Sequence, residues 1–342
     1  MLAEVPRTLA RMPGRPIRYL SAADVIDAMP PLAERLDLAE RTMTALVRDA
    51  ELPPKIAIHP RPEGSFVHAM PAHLRGAAAD GSDDLVGMKW VAGFGTNNER
   101  GMPAINAVVV LNDATTGLPA AVLDGGPITA QRTAAVSGVA IRRFAPSVSG
   151  RPVRAALIGA GVQGHSHLPV LGQVLPGVEL TVFDRHPERI EGLADEAHMV
   201  DGIGSVTAAP TAEAAVEDAD VVVTAASFGP VRQVMTPDWL AADALVIPVD
   251  YATYCSAAVA ADAALFLVDH REQFLANRET GLFEDYPDPA ATLGEAILDG
   301  MQRPPFGRVV VTHLGVGLAD VVFGDAIVRR ATERGLGVEL PR

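Results

Sequence analysis

A short apolar run that breaks into three spaced glycines constrains this chain more than any other stretch. Val153-Arg154-Ala155-Ala156-Leu157-Ile158 leads into Gly159-Ala160-Gly161-Val162-Gln163-Gly164, then into a helix-compatible segment from His165 to Val174. A second apolar run, Val178–Phe183, closes on Asp184. Each glycine has a mechanical task. Gly159 makes the tight turn, Gly161 lets the backbone approach a pyrophosphate, and Gly164 lets the helix sit close on the strand. Phosphates would rest on the free N–H groups and positive end of that helix. Asp184 lies about 20 residues beyond Gly164, where a carboxylate accepts from a ribose hydroxyl. A lone glycine motif fits many α/β turns. Strand before, helix after and acid at that distance point together to a dinucleotide.

A chain of 342 residues is long enough for two domains and a sizeable core. The formal charge of −14, with no basic stripe to offset it, argues against nucleic acid or an anionic membrane as partner. Cys255 is the only cysteine, so no internal disulfide forms. That fits a reducing cytoplasm, with Cys255 read as a small buried apolar residue. No apolar run approaches the ~18 residues of a membrane helix. Met1–Gly14 carries basic residues without the continuous apolar core of a secretory signal. The expected location is cytoplasmic.

Along the chain, strand-like pieces at 18–20, 56–59, 66–70, 85–94, 107–112 and 119–123 surround an amphipathic helix at 31–49. Asp113-Ala114-Thr115-Thr116-Gly117 reads as a hairpin loop with Gly117 at the positive-φ position. Strands that follow strands imply an antiparallel, α+β arrangement. After a helix at 129–144, strands at 178–183, 220–224, 245–249, 264–268 and 308–312 alternate with helices, which implies a doubly wound parallel sheet. A last amphipathic helix, 317–335, is expected to return to the first unit. The fold expected is therefore α/β: a Rossmann-type doubly wound parallel sheet over 129–312, inserted into an α+β substrate-binding and dimerisation domain of 1–128 plus 313–342.

Three polar residues stand out as candidates for chemistry. Lys89 lies inside the apolar strand Val86-Gly87-Met88-Lys89-Trp90-Val91, on the face of Gly87 and Val91, either solvated or turned inward. Arg132 falls at an expected helix start, where a positive charge is disfavoured and calls for a compensating anion. Asp250 follows a strand at the carboxyl edge of the parallel sheet, where ligands of open α/β sheets bind. His165 and His167 read as solvated or packed histidines rather than metal ligands, and 284–288 as a solvated acidic loop.

Gly87-Met88-Lys89, Asp113 to Pro119, Ile128-Thr129-Ala130-Gln131-Arg132-Thr133-Ala134-Ala135, the Gly159–Gly164 loop and Gly315-Val316-Gly317-Leu318-Ala319-Asp320 occur in this order. In these motifs the chain, from about Ser21 to Gly335, resembles the ornithine cyclodeaminase/mu-crystallin family. The resemblance implies a homodimer that pairs the first domains' sheets, with an α-amino acid or imino acid bound between the two domains. It implies that Lys89 and Arg132 hold the substrate carboxylate, with Lys55 where some members have arginine, and that Lys89 and Asp250 are catalytic, Asp250 handling protons on the substrate nitrogen. Thr133, Gly159, Gly161, Val162, Gln163, Gly164, Asp184, Arg185, Ala225 and Gly315 are the implied cofactor contacts. The implied reaction is hydride transfer at the α-carbon through an imine, as in an amino-acid dehydrogenase, ketimine reductase or cyclodeaminase. An opine-like dehydrogenase acting on a secondary amine, or a dinucleotide-dependent binding protein with little turnover, are the alternatives. Asp184 favours NAD because it would repel a 2′-phosphate, while Arg185 and His186 leave NADP open. Asp250-Tyr251-Ala252-Thr253-Tyr254-Cys255 departs from the family's proline-glycine-lysine type of segment at this place, which speaks against true ornithine cyclodeamination and suggests a reshaped pocket.

Overall fold

The computed structural model describes residues 16–227 and 231–342. Met1–Gly14, read above as lacking a secretory signal, lies outside the described residues.

The first unit runs β1 (Ile17–Leu20), α1 (Ala22–Asp27), α2 (Leu32–Arg48), β2 (Ala50–Glu51), β3 (Ile56–Ile58), β4 (Phe66–Leu74), β5 (Leu85–Gly93), β6 (Ile105–Asn112) and β7 (Pro119–Asp124). Ser21 opens α1 through a capping box with Asp24. At the β6–β7 hairpin the Asp113 carboxylate accepts from Thr115 and Thr116, and Gly117 takes the positive φ the turn needs. α3 (Gly125–Phe144) then crosses to the second unit. It begins four residues earlier than expected. The Asp124 side chain accepts from the Gly126 N–H, and Pro127 sits in the first turn, where a missing N–H leaves no bond unmade.

The second unit alternates strand and helix except between β11 and β12: β8 (Arg154–Ile158), α4 (Val162–Val174), β9 (Val178–Phe183), α5 (Pro187–Ala197), β10 (Ile203–Ala208), α6 (Ala212–Val216), β11 (Val221–Thr224), β12 (Leu245–Pro248), α7 (Ala257–Asp262), β13 (Leu265–Val268), α8 (Arg271–Glu279), β14 (Ala291–Thr292), α9 (Leu293–Leu298) and β15 (Val309–Thr312). α10 (Gly317–Glu333) and β16 (Val338–Leu340) return to the first unit, where α10 lies across β4, β5 and β6.

Two eight-stranded sheets result. The first has the order β16-β1-β7-β6-β5-β4-β2, with β3 also on β4, and is antiparallel except where β1 meets β7. The second, β10-β9-β8-β11-β12-β15-β13-β14, is parallel throughout. Its order reverses between β8 and β11, which opens the crevice where such sheets take their ligands. β10 and β16, not expected from the sequence, are edge strands with little burial, so neither carries a core pattern. One apolar cluster joins Leu111 and Val139 to Leu157 and Val223, so the sheets share an interior. No described helix is long and apolar enough to cross a membrane.

Candidate active site

β5 turns Gly87, Lys89 and Val91 to the same face, and that face is inward: Lys89 is only 1% exposed. A buried ammonium needs a partner. Lys89 Nζ lies 2.8 Å from Asp320 Oδ2, and Arg132 Nε donates to Asp320 Oδ1 over 3.3 Å. Asp320 is buried in the first turn of α10, where the helix dipole favours its charge. It is the anion that Arg132 demanded, though for a different reason from the one expected. Because α3 starts at Gly125, Arg132 stands in its third turn, and burial rather than the helix end calls for the partner. Two cations on one anion leave one positive charge over, at the wall of a cleft, whenever Lys89 is protonated. Burial, and then the Arg132 guanidinium, push the Lys89 ammonium down against the pull of Asp320.

That cleft, of about 350 Å³, lies between the units. β4 and β5 line one side with Phe66, Met70 and Lys89, and α3 adds Thr129, Arg132 and Thr133. The opposite side is the glycine loop at Gly161, Val162 and Gln163, with Ala225 from the end of β11. Lys55 and Tyr251 close one end. Lys55 Nζ donates to Tyr251 Oη at 2.8 Å and to the Leu314 carbonyl at 2.6 Å. Burial lowers the Lys55 ammonium to about 8, with Asp269 pulling the other way. Tyr251 reaches this position from a backbone φ of +59°, a conformation rare for a bulky residue and one that marks a constrained site.

Gly315, also in the cleft, has φ +76° and stands so close to Arg132 that a Cβ there would collide with the guanidinium. Its N–H donates to Asp269 Oδ2 and its carbonyl accepts from Gln273 Nε2. Behind Arg132 runs a chain of buried groups. The pKa values of His167 and His313 are lowered by burial to about 4 and about 3, so both rings are neutral at pH 7. His167 Nδ1, 2.6 Å from the Gln163 carbonyl, must donate, so its Nε2 accepts the Ser137 hydroxyl. The Ser137 oxygen in turn accepts from His313 Nε2, at 2.9 Å. His165 pairs with Glu196. Among the described residues no cluster of metal-ligating side chains occurs.

Not every expected site residue meets in this cleft. Gly159, Asp184 and Arg185 line an adjoining one of about 380 Å³ that shares Ala226 and Ser227 with it. Gly159, at φ +111°, runs against the Ala225 carbonyl, and Gly164 packs on the Gly159 carbonyl beneath the loop, each leaving no room for a Cβ. Where a Gly161 Cβ would point there is nothing within 4 Å. The Asp184 carboxylate accepts from Ala160 N–H and His186 N–H, which ties the loop to the end of β9. An open bare backbone at a helix N-terminus, with an acid held at the next strand's end, fits a dinucleotide's pyrophosphate and ribose. Asp250 lines neither cleft. Its carboxylate is buried, accepting from Thr224 Oγ1 at 2.7 Å and Ala226 N–H at 3.2 Å, and burial raises its pKa to about 7. The loop at 284–288 is solvated only in part, since Tyr286 is buried among Phe266, Phe274 and Phe283 and donates to the Cys255 carbonyl.

Sequence reading gave no role to Asp320 or His313, and took Tyr251 only as part of a segment that suggests a reshaped pocket. An acid in the first turn of a helix otherwise rich in Val, Leu and Phe was the available signal for Asp320. His313 carries none in one dimension, because its partner Ser137 lies far off along the chain.

The profile of the ornithine cyclodeaminase/mu-crystallin family matches residues 23–273. The nodulation efficiency protein NfeD of Rhizobium meliloti is 35% identical over 94% of this chain and 98% of its own length. The ketimine reductase mu-crystallin of Rattus norvegicus is 31% identical over 46% of each chain, so this alignment spans just under half of that protein. In three dimensions the Δ(1)-pyrroline-2-carboxylate reductase of Thermococcus litoralis, solved with NADH and L-proline, superposes with a TM-score of 0.81 over 95% of this chain and 100% of that one, at 23% identity. That likeness speaks for the fold. With the cation pair, the glycine loop and the two-sheet architecture in place, the chain belongs to the ornithine cyclodeaminase/mu-crystallin family.

Proposed function

We propose that the chain is an NAD-dependent enzyme of amino-acid and imino-acid metabolism that exchanges a hydride at the α-carbon of a carboxylate-bearing substrate. The observation that carries this reading is the unbalanced charge of Lys89 and Arg132 on Asp320, facing the glycine loop across one cleft. A substrate carboxylate favours the protonated Lys89 and neutralises the surplus charge that this form carries. Two cations anchored on separate elements, β5 and α3, fix the direction of the Cα–H bond, and such positioning lowers the barrier by roughly several kcal/mol. Lys55, held by Tyr251, adds a third positive group at the cleft's end; as a lysine it lacks the bidentate fork of arginine.

When bound, NAD supplies the hydride acceptor, and its reduced form the donor. Gly161, Val162, Gln163, Ala225, Thr133 and Gly315 would hold its nicotinamide half, with Gly159 and Gly164 shaping the loop. Asp184 and Arg185 would take the adenosine half, and the fixed Asp184 carboxylate opposes a 2′-phosphate. Asp250 handles the proton of the substrate nitrogen. Near neutral pH its raised pKa gives it both protonation states, as general acid–base work requires. To reach the nitrogen its carboxyl must turn away from Thr224 and Ala226. In this scheme residues 129–312 act as the cofactor unit, and 1–128 with 313–342 as the substrate unit.

The same reading takes the chain as a homodimer. On the outer face of the first sheet, opposite Lys89, Trp90 pairs in register with Val108, Met88 with Val110 and Val110 with Val122. Trp90 and Val108 are exposed, and contiguous apolar faces of this kind mark protein interfaces.

The test is nicotinamide absorbance with α-amino acids and cyclic imines in both directions, with ammonia release beside it to detect redox-neutral cyclodeamination. Turnover is expected with NAD above NADP, and Lys89→Met or Arg132→Met should lower kcat/KM at least a hundredfold. Full turnover in Asp250→Asn would pass the proton role to Lys55.

A further inference from the structure

A second cavity of about 770 Å³ opens beyond Tyr251 and shares Lys55, Gly64, Phe66, His68 and Tyr251 with the cleft. Its outer wall is the chain between β3 and β4, with Arg61 and Glu63, and its far side is Arg232 together with Ala276, Asn277 and Thr280 around α8. Clefts of roughly 300 to 1,000 Å³ serve drug-sized ligands. An amino acid such as alanine or proline, seated on Lys89 and Arg132, leaves this outer space unused.

The charge of the cavity has a sign. Lys55, Arg61 and Arg232 line it against one carboxylate, Glu63. Burial, and then the Lys55 charge, push the His68 imidazole down to about 4, so it stays neutral. Arg308, Arg278, Arg303 and Arg271 all donate to acceptors. The Arg232 guanidinium has no acceptor among the described residues, and its Nη1 is buried without one. A half-buried guanidinium left without an acceptor loses hydration and gains nothing in return. A planar bidentate anion, a carboxylate above all, is the group that satisfies it.

We propose that this cavity is a subsite for a second carboxylate of the substrate, bound by Arg232 and Arg61, so that the enzyme acts on amino or imino acids carrying a distal acid group. The inference rests on the proposed function and narrows its substrate class. The distal acid can arrive in two ways, on the side chain of a primary amino acid or on the far arm of a secondary amine. In the second case the α-hydrogen leaves as hydride to NAD and the N–H proton is released. Water then adds across the C=N bond to give a carbinolamine, whose C–N bond breaks as the hydroxyl proton passes to the departing nitrogen, giving a 2-oxo acid and an amino acid.

The full chain is assayed with NAD on L-alanine and L-proline, and on L-glutamate and N-(1-carboxyethyl)-L-alanine, which carry the second carboxylate in those two places. At least one of the latter pair is expected to show kcat/KM tenfold or more above the monocarboxylates. Arg232→Ala should raise its KM at least tenfold and Arg232→Lys should recover part of that, while rates on alanine and proline change less than twofold. Dicarboxylates that gain nothing, or an Arg232→Ala that slows all four alike, would refute the subsite. Turnover of none of the four would instead count against the proposed function. The subsite is then read by calorimetry with glutarate and butyrate in the presence of NAD. Glutarate binding that Arg232→Ala abolishes upholds it, and equal affinity for butyrate rejects it.

Discussion

Asp320 carries a structural burden and, on the proposed function, a second one at the substrate site. Removing it leaves Lys89 and Arg132 buried beside each other without an anion, and breaking a buried ionic group in this way costs roughly 3 to 5 kcal/mol. Asp320→Ala should therefore lower the urea midpoint of unfolding, and added substrate carboxylate should recover part of the loss because it supplies the missing charge. Asp250 makes the opposite kind of prediction. Its carboxyl titrates near 3.8 when free and near 7 in the fold. Between those values the folded chain holds the proton that the unfolded chain has released, so stability falls as pH rises through that window and levels off above it. At about 1.4 kcal/mol per unit, Asp250→Asn should gain about 2 to 3 kcal/mol on wild type between pH 5 and pH 8. Urea unfolding of both proteins at the two pH values measures it. A constant difference would show that the carboxyl is not desolvated.

At the scale of elements, the Gly315 turn is the part most sensitive to a single methyl group. It lies between β15 and α10, tied by Asp269 and Gln273, and its Cα is the surface on which the Arg132 guanidinium rests. Gly315→Ala should displace Arg132 and strain a positive φ together, raising KM for the proposed carboxylate substrate tenfold or more in steady-state assays. Elements with a strong internal signal were legible in the sequence. The glycine loop, the alternation of β5 and the turn residues Asp113 and Gly117 each state their geometry within a few residues. The edge strands β10 and β16 were not legible, since an edge buries too little to leave a pattern. The start of α3 was misplaced because Pro127 reads as a boundary, although a first turn accepts proline. Of the site, the cations could be picked out as anomalies. Their anion could not be assigned, because Lys89 and Arg132 meet Asp320 only after the last helix returns across β5.

For the whole molecule, the first sheet has α10 on one face and an apolar second face headed by Trp90. If two copies pair through that face, Trp90→Asp should convert a dimer to a monomer in light scattering while far-UV circular dichroism is retained, since Trp90 is 43% exposed in the single chain. A wild-type monomer at micromolar concentration would dispose of the pairing.

The Lys89–Asp320–Arg132 group is built from β5, α10 and α3, and α3 also runs through the interior common to both sheets. Replacing Asp320 leaves two buried cations without an anion and weakens the fold as well as the site, whereas Arg61 and Arg232 belong to connecting segments outside that interior. On the proposed reading, a lineage exploring new metabolites would alter what it accepts at the outer cavity with little penalty to foldedness, and the anchor for the first acid group would be the last part to change.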